Sequence, residues 1–166
     1  MNKRSTLYDR RLQSRYRLWT NSKTVVHNFG ATFEGRFRLN DRYSVTGNVS
    51  YARLHRTEQN DGLEDGFNTP SWITNLSWHG NNVWRRLSYG ATAHWQSRYY
   101  WQSFLVNGSV PAVFNLDVHL RYNLLNPLLE LKLGAANVLN RYYYSMLGGP
   151  SVGGFYYLTA TWQIQQ

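Results

Sequence analysis

The chain has 166 residues, enough for one domain with a sizeable core, and it contains no cysteine, which excludes disulfides, thiolate metal sites and a cysteine nucleophile. It combines 7 Trp, 13 Tyr and 7 Phe with a mean hydropathy of −0.55, a pairing typical of a transmembrane β-barrel, whose lumen is polar and whose rims are aromatic. The net charge is +9, but beyond residue 23 the Lys and Arg residues recur singly on polar strand faces and in turns, which argues against nucleic-acid binding.

The first 23 residues form a basic segment with a weak strand signal. Apolar and polar residues alternate imperfectly between Leu12 and Trp19, which indicates part of a strand at most. The basic residues have the charge of a signal peptide's first region, but no apolar region follows, so the sequence as it stands is expected to carry no export signal. We therefore separate residues 1–23, a poorly defined basic stretch, from residues 24–166, which hold the strong strand patterns.

Seven segments after residue 23 alternate strictly between apolar and polar residues. In the segment that begins at residue 86, Leu87, Tyr89 and Trp95 share one face, whereas His94 and Arg98 share the other. Successive side chains on a strand point to opposite sides, so each segment is predicted to separate an apolar medium from water. Helical periodicity is absent, and so is any run of about 18 apolar residues, the length of a transmembrane helix. The predicted strands span 24–39, 42–54, 70–79, 86–99, 111–124, 128–138 and 154–164.

The connections between these strands alternate in length. Asn40 and Asp41 are predicted to make a tight turn because these residue types tolerate positive φ, and residues 80–82 are predicted to make the next one. Outer-membrane barrels have short periplasmic turns and long external loops, so the alternation places the short connections in the periplasm. A soluble β-sandwich does not require this alternation, nor Tyr and Trp near strand ends, where a bilayer interface favours them. Short connections lie at 40–41, 80–85 and 125–127, and long ones at 57–69, 100–110 and 139–153.

The free edges of such a sheet limit the architecture. Backbone groups at an open edge in lipid have no hydrogen-bond partner, so seven strands alone cannot span a membrane. Either the weak N-terminal segment completes a barrel of eight strands, or the chain is the terminal portion of a larger barrel. In both cases the fold is all-β and antiparallel, with about 7–8 strands from this chain.

Several segments together resemble the C-terminal end of the barrel of TonB-dependent outer-membrane receptors. The pattern A-x-N-x-L-N-x-x-Y at 135–143, followed by a Gly-rich loop and an aromatic last strand, is the most characteristic of them. The resemblance covers residues 24–164, with looser matches at 28–37 and 44–54. The matching segments are FNTP at 67–70, WQSRYYWQSFLVNGSVPAVFNLD at 95–117, LKLGAANVLNRYYY at 131–144 and GGPSVGGFYYLTATW at 148–162.

The resemblance implies a barrel of about 22 strands closed by an N-terminal plug domain, of which residues 24–166 supply the C-terminal strands. It implies active uptake of a nutrient (a siderophore, vitamin, glycan or peptide) across the outer membrane of a Gram-negative bacterium, driven by the TonB complex. The implied partners are outer-membrane lipid, the TonB complex, and the earlier strands and plug, which these residues lack, so we expect a fragment or the product of a split gene. No enzymatic activity, cofactor or nucleic acid is implied.

The alternative function is that of a self-contained eight-stranded outer-membrane barrel with a structural or adhesion role. The chain ends on Gln166, whereas barrels of the resembled kind end on an aromatic residue that assists assembly. This difference argues against independent assembly of the chain. The residues do not identify the nutrient.

The polar residues contain no catalytic constellation. Asp61, Glu64 and Asp65 share a Gly-containing loop but lack the spacing of an EF-hand, so we interpret the segment as a solvated external loop rather than a Ca²⁺ site. His94 and His119 lie on inward faces of separate strands, and we interpret them as polar lumen residues rather than metal ligands.

One set of residues is a candidate for ligand contact. Arg98, Tyr99, Tyr100 and Trp101 stand where the fourth predicted strand passes into the long loop that follows it. Aromatic faces and a guanidinium group stack on flat ligands such as a sugar. The same residues also fit the aromatic girdle of a membrane interface, which we favour.

Overall fold

The computed structural model describes residues 2–9, 14–21, 25–56, 66–103, 105–125 and 129–163, and these residues form thirteen strands. Within this part of the chain, no helix is long and apolar enough to cross a membrane. The strands are β1 (Asn2–Asp9), β2 (Ser14–Asn21), β3 (Val26–Arg38), β4 (Tyr43–Arg56), β5 (Trp72–Trp84), β6 (Leu87–Gln96), β7 (Tyr99–Gln102), β8 (Asn107–Val110), β9 (Val113–Leu125), β10 (Leu129–Ala136), β11 (Tyr143–Tyr144), β12 (Ser151–Val152) and β13 (Phe155–Trp162).

Seven long strands form one antiparallel sheet in the order β13-β10-β9-β6-β5-β4-β3. Each long strand therefore lies beside the next long strand in the sequence, the up-and-down order of a barrel wall. β7–β8 and β11–β12 are separate two-stranded sheets inserted in the connections, and β1–β2 is a third. The all-β, antiparallel fold class predicted from the alternation is confirmed.

The register keeps apolar side chains opposite apolar side chains. Leu76 on β5 pairs with Ala93 on β6, which pairs in turn with Leu116 on β9. A strand shifted by one residue would move every one of its side chains to the other face, so these pairings specify the register. We call this apolar side the outer face. The polar side is the inner face, where the row Asn48, Asn75, His94 and Asn115 runs across β4, β5, β6 and β9.

The outer face is not covered by any other layer of the described structure. Phe33 is 79% exposed and Leu158 is 71% exposed, and many other large apolar side chains of this face are open as well. Among the described residues, Val110 and Ala135 are the buried hydrophobic ones. An apolar surface of this extent is unstable against water and suits contact with hydrocarbon.

The first short connection closes by a different device from the one predicted. Neither Asn40 nor Asp41 has a positive φ. Instead, the Asn40 side-chain oxygen accepts hydrogen bonds from the backbone N–H groups of Arg42 and Tyr43, both at 2.9 Å. The turn is where the sequence placed it, but an Asx-type side-chain bond holds it.

The second predicted turn, at residues 80–82, is wrong. β5 continues to Trp84 through an irregular stretch of pairing that begins after Gly80. The turn lies at Arg85 and Arg86, with φ values of 38° and 72°. Positive φ at both central residues is the type I′ pattern, whose backbone twist matches that of a hairpin but is seldom formed by arginine.

Three further differences concern the connections and the N-terminal segment. The connections predicted as plain loops at 100–110 and 139–153 contain the short hairpins β7–β8 and β11–β12. The weak strand signal near residues 12–19 falls in β2, but β1 has no apolar alternation and was not predicted. Asp61, Glu64, Asp65, the turn at 126–127 and the last residues 164–166 lie outside the described residues.

Candidate functional site

The two ends of the sheet are distinct, and we name them by their connections. The turn end holds the connections at 39–42 and 85–86, and the loop end holds the hairpins β7–β8 and β11–β12.

At the loop end, the outer face carries an aromatic ladder. The ring centroids of Phe29 and Tyr51 are 6.2 Å apart, and those of Tyr51 and Trp72 are 4.6 Å apart. These rings lie on three neighbouring strands, β3 to β5. The arrangement is that of an aromatic belt at a membrane interface.

At the turn end, a second aromatic cluster lies on the same outer face. The rings of Tyr43 and Trp78 are 6.1 Å apart, and the Trp78 indole N–H donates a 3.0 Å hydrogen bond to the Tyr89 hydroxyl. Along β4, Tyr43 and Tyr51 are eight residues apart, or about 26 Å at 3.3 Å per residue. A strand tilt of about 40° brings the belts to a separation of about 20 Å, close to the roughly 25 Å apolar band of outer-membrane barrels.

The inner face carries a chain of polar contacts across four strands and the turn after β10. Asn75 donates to Asn48 at 2.9 Å, and its side-chain oxygen bonds the His94 ring nitrogen Nδ1. The other His94 ring nitrogen lies 3.2 Å from the Asp117 carboxylate, which also accepts a 2.8 Å hydrogen bond from the Asn137 backbone N–H. These contacts fix the polar side chains of the inner face.

A second inner-face row alternates rings with glycines. Gly90 faces His79 on one side and His119 on the other, and Gly134 faces Tyr157. An added methyl group would lie 2.3 Å from the His119 ring at Gly90 and 2.2 Å from the Tyr157 ring at Gly134. The rings therefore lie flat across the glycines, which pins the strand pairing. The described residues contain no group of three or more metal-ligand side chains, and the interpretation of His94 and His119 as plain lumen residues stays a prediction.

Toward the turn end, the inner face becomes basic. A cavity of about 420 Å³ is lined by Arg36, Arg38 and Arg42, together with Asp41 and His79. Farther around the sheet, on β9 and β10, Arg121 lies 3.4 Å from the Glu130 carboxylate, and the Lys132 ammonium lies 5.7 Å from the Tyr157 ring centre. Cations outnumber carboxylates in this region.

Two of the four predicted ligand-contacting residues line one cavity at the loop end. Tyr99 and Tyr100 line a cavity of about 380 Å³, but Arg98 and Trp101 do not. Tyr100 is 59% exposed, and the Tyr99 hydroxyl donates a 2.6 Å hydrogen bond to the Ser145 carbonyl in the next long connection. Burial raises the pKa of Tyr99 above its ordinary value of 10.0, so this donor stays protonated at neutral pH.

The remaining walls of this cavity come from residues that were not predicted as site residues. Two hydrogen bonds between Asn68 and Gln102 attach the segment that precedes β5 to strand β7. The Gln102 N–H donates to the Asn68 side-chain oxygen at 2.7 Å, and the Asn68 amide donates to the Gln102 carbonyl at 2.9 Å. Arg53 and Phe67 also line the cavity. The FNTP segment marked this region in the sequence, but its docking on β7 spans 34 residues and has no local signal.

The spacing of the two asparagines after β10 has a structural reason. Asn137 and Asn140 both have a φ of 49°, a left-handed conformation that asparagine adopts more readily than most residues. The Asn137 side chain, 4% exposed, exchanges hydrogen bonds with the backbone of Arg141, and the Asn140 side chain accepts one from the Gly154 N–H at 2.7 Å. These bonds hold the connection that precedes β13.

The comparisons with known proteins are consistent with this geometry. A model of the outer membrane protein beta-barrel family matches residues 4–151. None of the curated proteins matches the sequence.

Three solved structures share the fold at low sequence identity. The siderophore receptor PiuA from Acinetobacter baumannii is 18% identical with a TM-score of 0.60, over 81% of this chain and 22% of its own. The FrpB iron transporter from Neisseria meningitidis is 17% identical with a TM-score of 0.66, over 96% and 26%. FpvA of P. aeruginosa in complex with a pyoverdine and iron is 14% identical with a TM-score of 0.67, over 97% and 23%. The chain therefore spans about a quarter of the length of these proteins.

Proposed function

Because the chain belongs to the outer membrane protein beta-barrel family, we propose that it forms part of the barrel wall of a TonB-dependent receptor that takes up a nutrient across the outer membrane of a Gram-negative bacterium. Its partners are outer-membrane lipid, the earlier strands and plug of the same receptor, and the TonB complex. The chain contributes wall and external loops, and no enzymatic step is assigned to it.

The observation that carries this proposal is the single-layer sheet with one apolar and one polar face. Large apolar side chains stand open on the outer face between two aromatic belts, and a hydrogen-bonded polar chain runs across the inner face. Lipid on one side and a wet lumen on the other satisfy both faces at once.

The open edges of the sheet support a place within a larger barrel. Among the described residues, β3 and β13 are the edge strands and do not pair with each other, and β1–β2 is a separate sheet. An eight-stranded barrel closed by the N-terminal segment would require both edges to be satisfied within the chain. Strands from the rest of a receptor would satisfy them instead.

The external connections are where we place contact with the nutrient. The cavity beside Tyr99 and Tyr100 offers aromatic faces, the Arg53 guanidinium and the Asn68 amide at the loop end. PiuA is a siderophore receptor, FrpB is an iron transporter, and FpvA is seen in complex with a pyoverdine and iron, so a ferric siderophore is the first nutrient class to test. Vitamins, glycans and peptides are the other classes.

The test is a genetic comparison in the organism that carries the gene. Strains lacking the gene for this chain, lacking TonB, or lacking both are grown with ferric siderophores, vitamins, glycans or peptides as the limiting nutrient. The proposal predicts one nutrient on which the single and double deletions fail alike and the complemented strain recovers. Normal growth of the gene deletion on every nutrient that requires TonB would contradict it.

A further inference from the structure

The turn end of the inner face carries more cations than carboxylates. Arg36 and Arg38 project from β3 and Arg42 lies in the following turn, all around the same cavity of about 420 Å³. Within the described residues, none of these three guanidinium groups takes part in an ion pair. Asp41 lines the cavity too, so one carboxylate faces three guanidinium groups.

The basic surface continues around the wall. Arg121 on β9 and Lys132 on β10 lie on the inner face toward the same end, directly opposite each other in the register. Glu130 lies beside Arg121 at 3.4 Å and offsets its charge, whereas the Lys132 ammonium lies over the Tyr157 ring. We call Arg36, Arg38, Arg42, Arg121 and Lys132 the basic rim.

The clustered cations lie at one end of the inner face. Farther toward the loop end, the polar chain of Asn48, Asn75, His94 and Asp117 consists of amides, one imidazole and one carboxylate. A ligand attracted by the basic rim would therefore be held at the turn end and in one orientation. This asymmetry is a property of a docking surface rather than of a uniformly basic lumen.

The dimensions of the basic rim select the kind of ligand. β3 and β10 are separated by five strand spacings, or about 24 Å at 4.8 Å per spacing. One phosphate or one carboxylate cannot reach both groups of cations. An extended polypeptide of about seven residues, at 3.3 Å per residue, spans this distance and can present several carboxylates to the guanidinium forks.

We propose that the basic rim docks an acidic polypeptide segment that occupies the lumen at the turn end. The inference rests on the proposed function, because only a barrel wall encloses its inner face as a lumen. It adds the chemistry of the partner's surface and the place where that surface binds: clustered Asp and Glu side chains against the inner face of β3, the following turn, β9 and β10.

The experiment uses the full chain folded in detergent micelles and a fluorescein-labelled peptide of six Glu-Gly repeats. Fluorescence anisotropy at low salt measures the Kd for the wild-type chain, for Arg36→Gln/Arg38→Gln/Arg42→Gln, and for a control that removes the same charge at the loop end, Arg53→Gln/Arg98→Gln/Arg141→Gln. We expect the Kd to rise about tenfold in the first variant and less than about twofold in the control, since each exposed ion pair contributes modestly and several add up. Added salt should weaken wild-type binding.

A second variant guards against a folding defect. Arg36→Lys/Arg38→Lys/Arg42→Lys keeps the charge and should bind the peptide within about threefold of wild type, with an unchanged β-sheet circular dichroism spectrum. Equal losses in the rim variant and the loop-end control would show general attraction to a basic chain and overturn the proposal. Displacement of the peptide by inorganic phosphate at equal ionic strength, or tighter binding of a 12-nucleotide single strand at the same arginines, would also overturn it.

The outcome is separable from that of the proposed function. Docking is measured on the isolated chain, and uptake is measured by growth of deletion strains. Rim-dependent peptide binding together with normal growth on every TonB-requiring nutrient would refute the uptake function and leave the docking surface supported. A growth defect together with rim-independent binding would refute the docking surface alone.

Discussion

Leu76 provides the sharpest contrast between a membrane wall and a soluble sheet. Its side chain is 54% exposed on the outer face, and it pairs with Gly47, which is midway between the belt residues Tyr43 and Tyr51 on β4. If lipid covers this face, the Leu76→Lys substitution places an ammonium group near the middle of the hydrocarbon. The expected cost is about 2–4 kcal/mol of unfolding free energy.

Ser77, the next residue along β5, supplies the matched control. Its hydroxyl lies on the inner face, 3.0 Å from the Thr92 hydroxyl. Ser77→Lys removes one hydrogen bond between side chains in contact with water, which costs about 1 kcal/mol. The two substitutions are at adjacent positions on opposite faces. Their costs in unfolding free energy should therefore differ by about 1–3 kcal/mol because of the face alone.

The assay is urea unfolding of the barrel that contains this chain in short-chain phosphatidylcholine vesicles, followed by tryptophan fluorescence. In a water-exposed sheet, lysine at a half-exposed leucine position would change the unfolding free energy by about 0.5 kcal/mol or less. An effect of Leu76→Lys no larger than that of Ser77→Lys would refute the assignment of the outer face to lipid.

Three further predictions concern the fold and the loop end. Gly30→Ala should destabilise the chain by about 1–3 kcal/mol in the same urea assay, because the new methyl group would lie 2.7 Å from the Tyr51 carbonyl oxygen. Gly35→Ala, which has no atom within 4 Å of the new methyl group, should change the unfolding free energy by about 0.5 kcal/mol or less. Equal effects would contradict the close approach of β3 and β4. Asn137→Ala should lower the unfolding free energy by about 2–4 kcal/mol, because it loses two hydrogen bonds and places alanine at a φ of 49°. Asn137→Gly, which relieves the backbone strain, should lower it less. An Asn137→Gly variant no more stable than Asn137→Ala would rule out backbone strain. The raised pKa of Tyr99 means that the folded chain holds this proton more tightly than the unfolded chain does, so its contribution to the unfolding free energy is complete below pH 10 and is lost as the pH rises through the folded pKa. Tyr99→Phe should remove that part of the loss of stability at alkaline pH, measured by thermal unfolding over a pH series. An unchanged pH profile would contradict this prediction.

The strands and their faces were predictable because the chain repeats one simple rule. Alternation with a period of two assigned Leu76 to the outer face and His94 to the inner face before any pairing was known, and both assignments hold. The amphipathic contrast is strong here because the two faces meet different media. A soluble sheet packed on both sides would have given a weaker pattern.

The turns and the site were harder to predict from the sequence, because they depend on contacts between residues distant in sequence or on uncommon backbone conformations. Asn81 and Asn82 have typical turn chemistry, yet the turn falls on Arg85 and Arg86, which adopt positive φ under the constraint of the β5–β6 pairing. The clamp between Asn68 and Gln102 joins two connections that the sequence shows only as loops. For the predicted ligand set, Tyr99 and Tyr100 line the loop-end cavity, whereas Arg98 and Trp101 do not line it.

The central claim is that one face of this sheet meets lipid and the other meets water. Because the chain has no cysteine, single cysteines at positions 115–120 of β9 can carry an environment-sensitive fluorophore without a competing site. In vesicles, we predict that labels at Leu116, Val118 and Leu120 are quenched by a nitroxide lipid, and that labels at Asn115, Asp117 and His119 are quenched by aqueous iodide. Quenching with no alternation along β9, or iodide access at all six positions, would contradict the account.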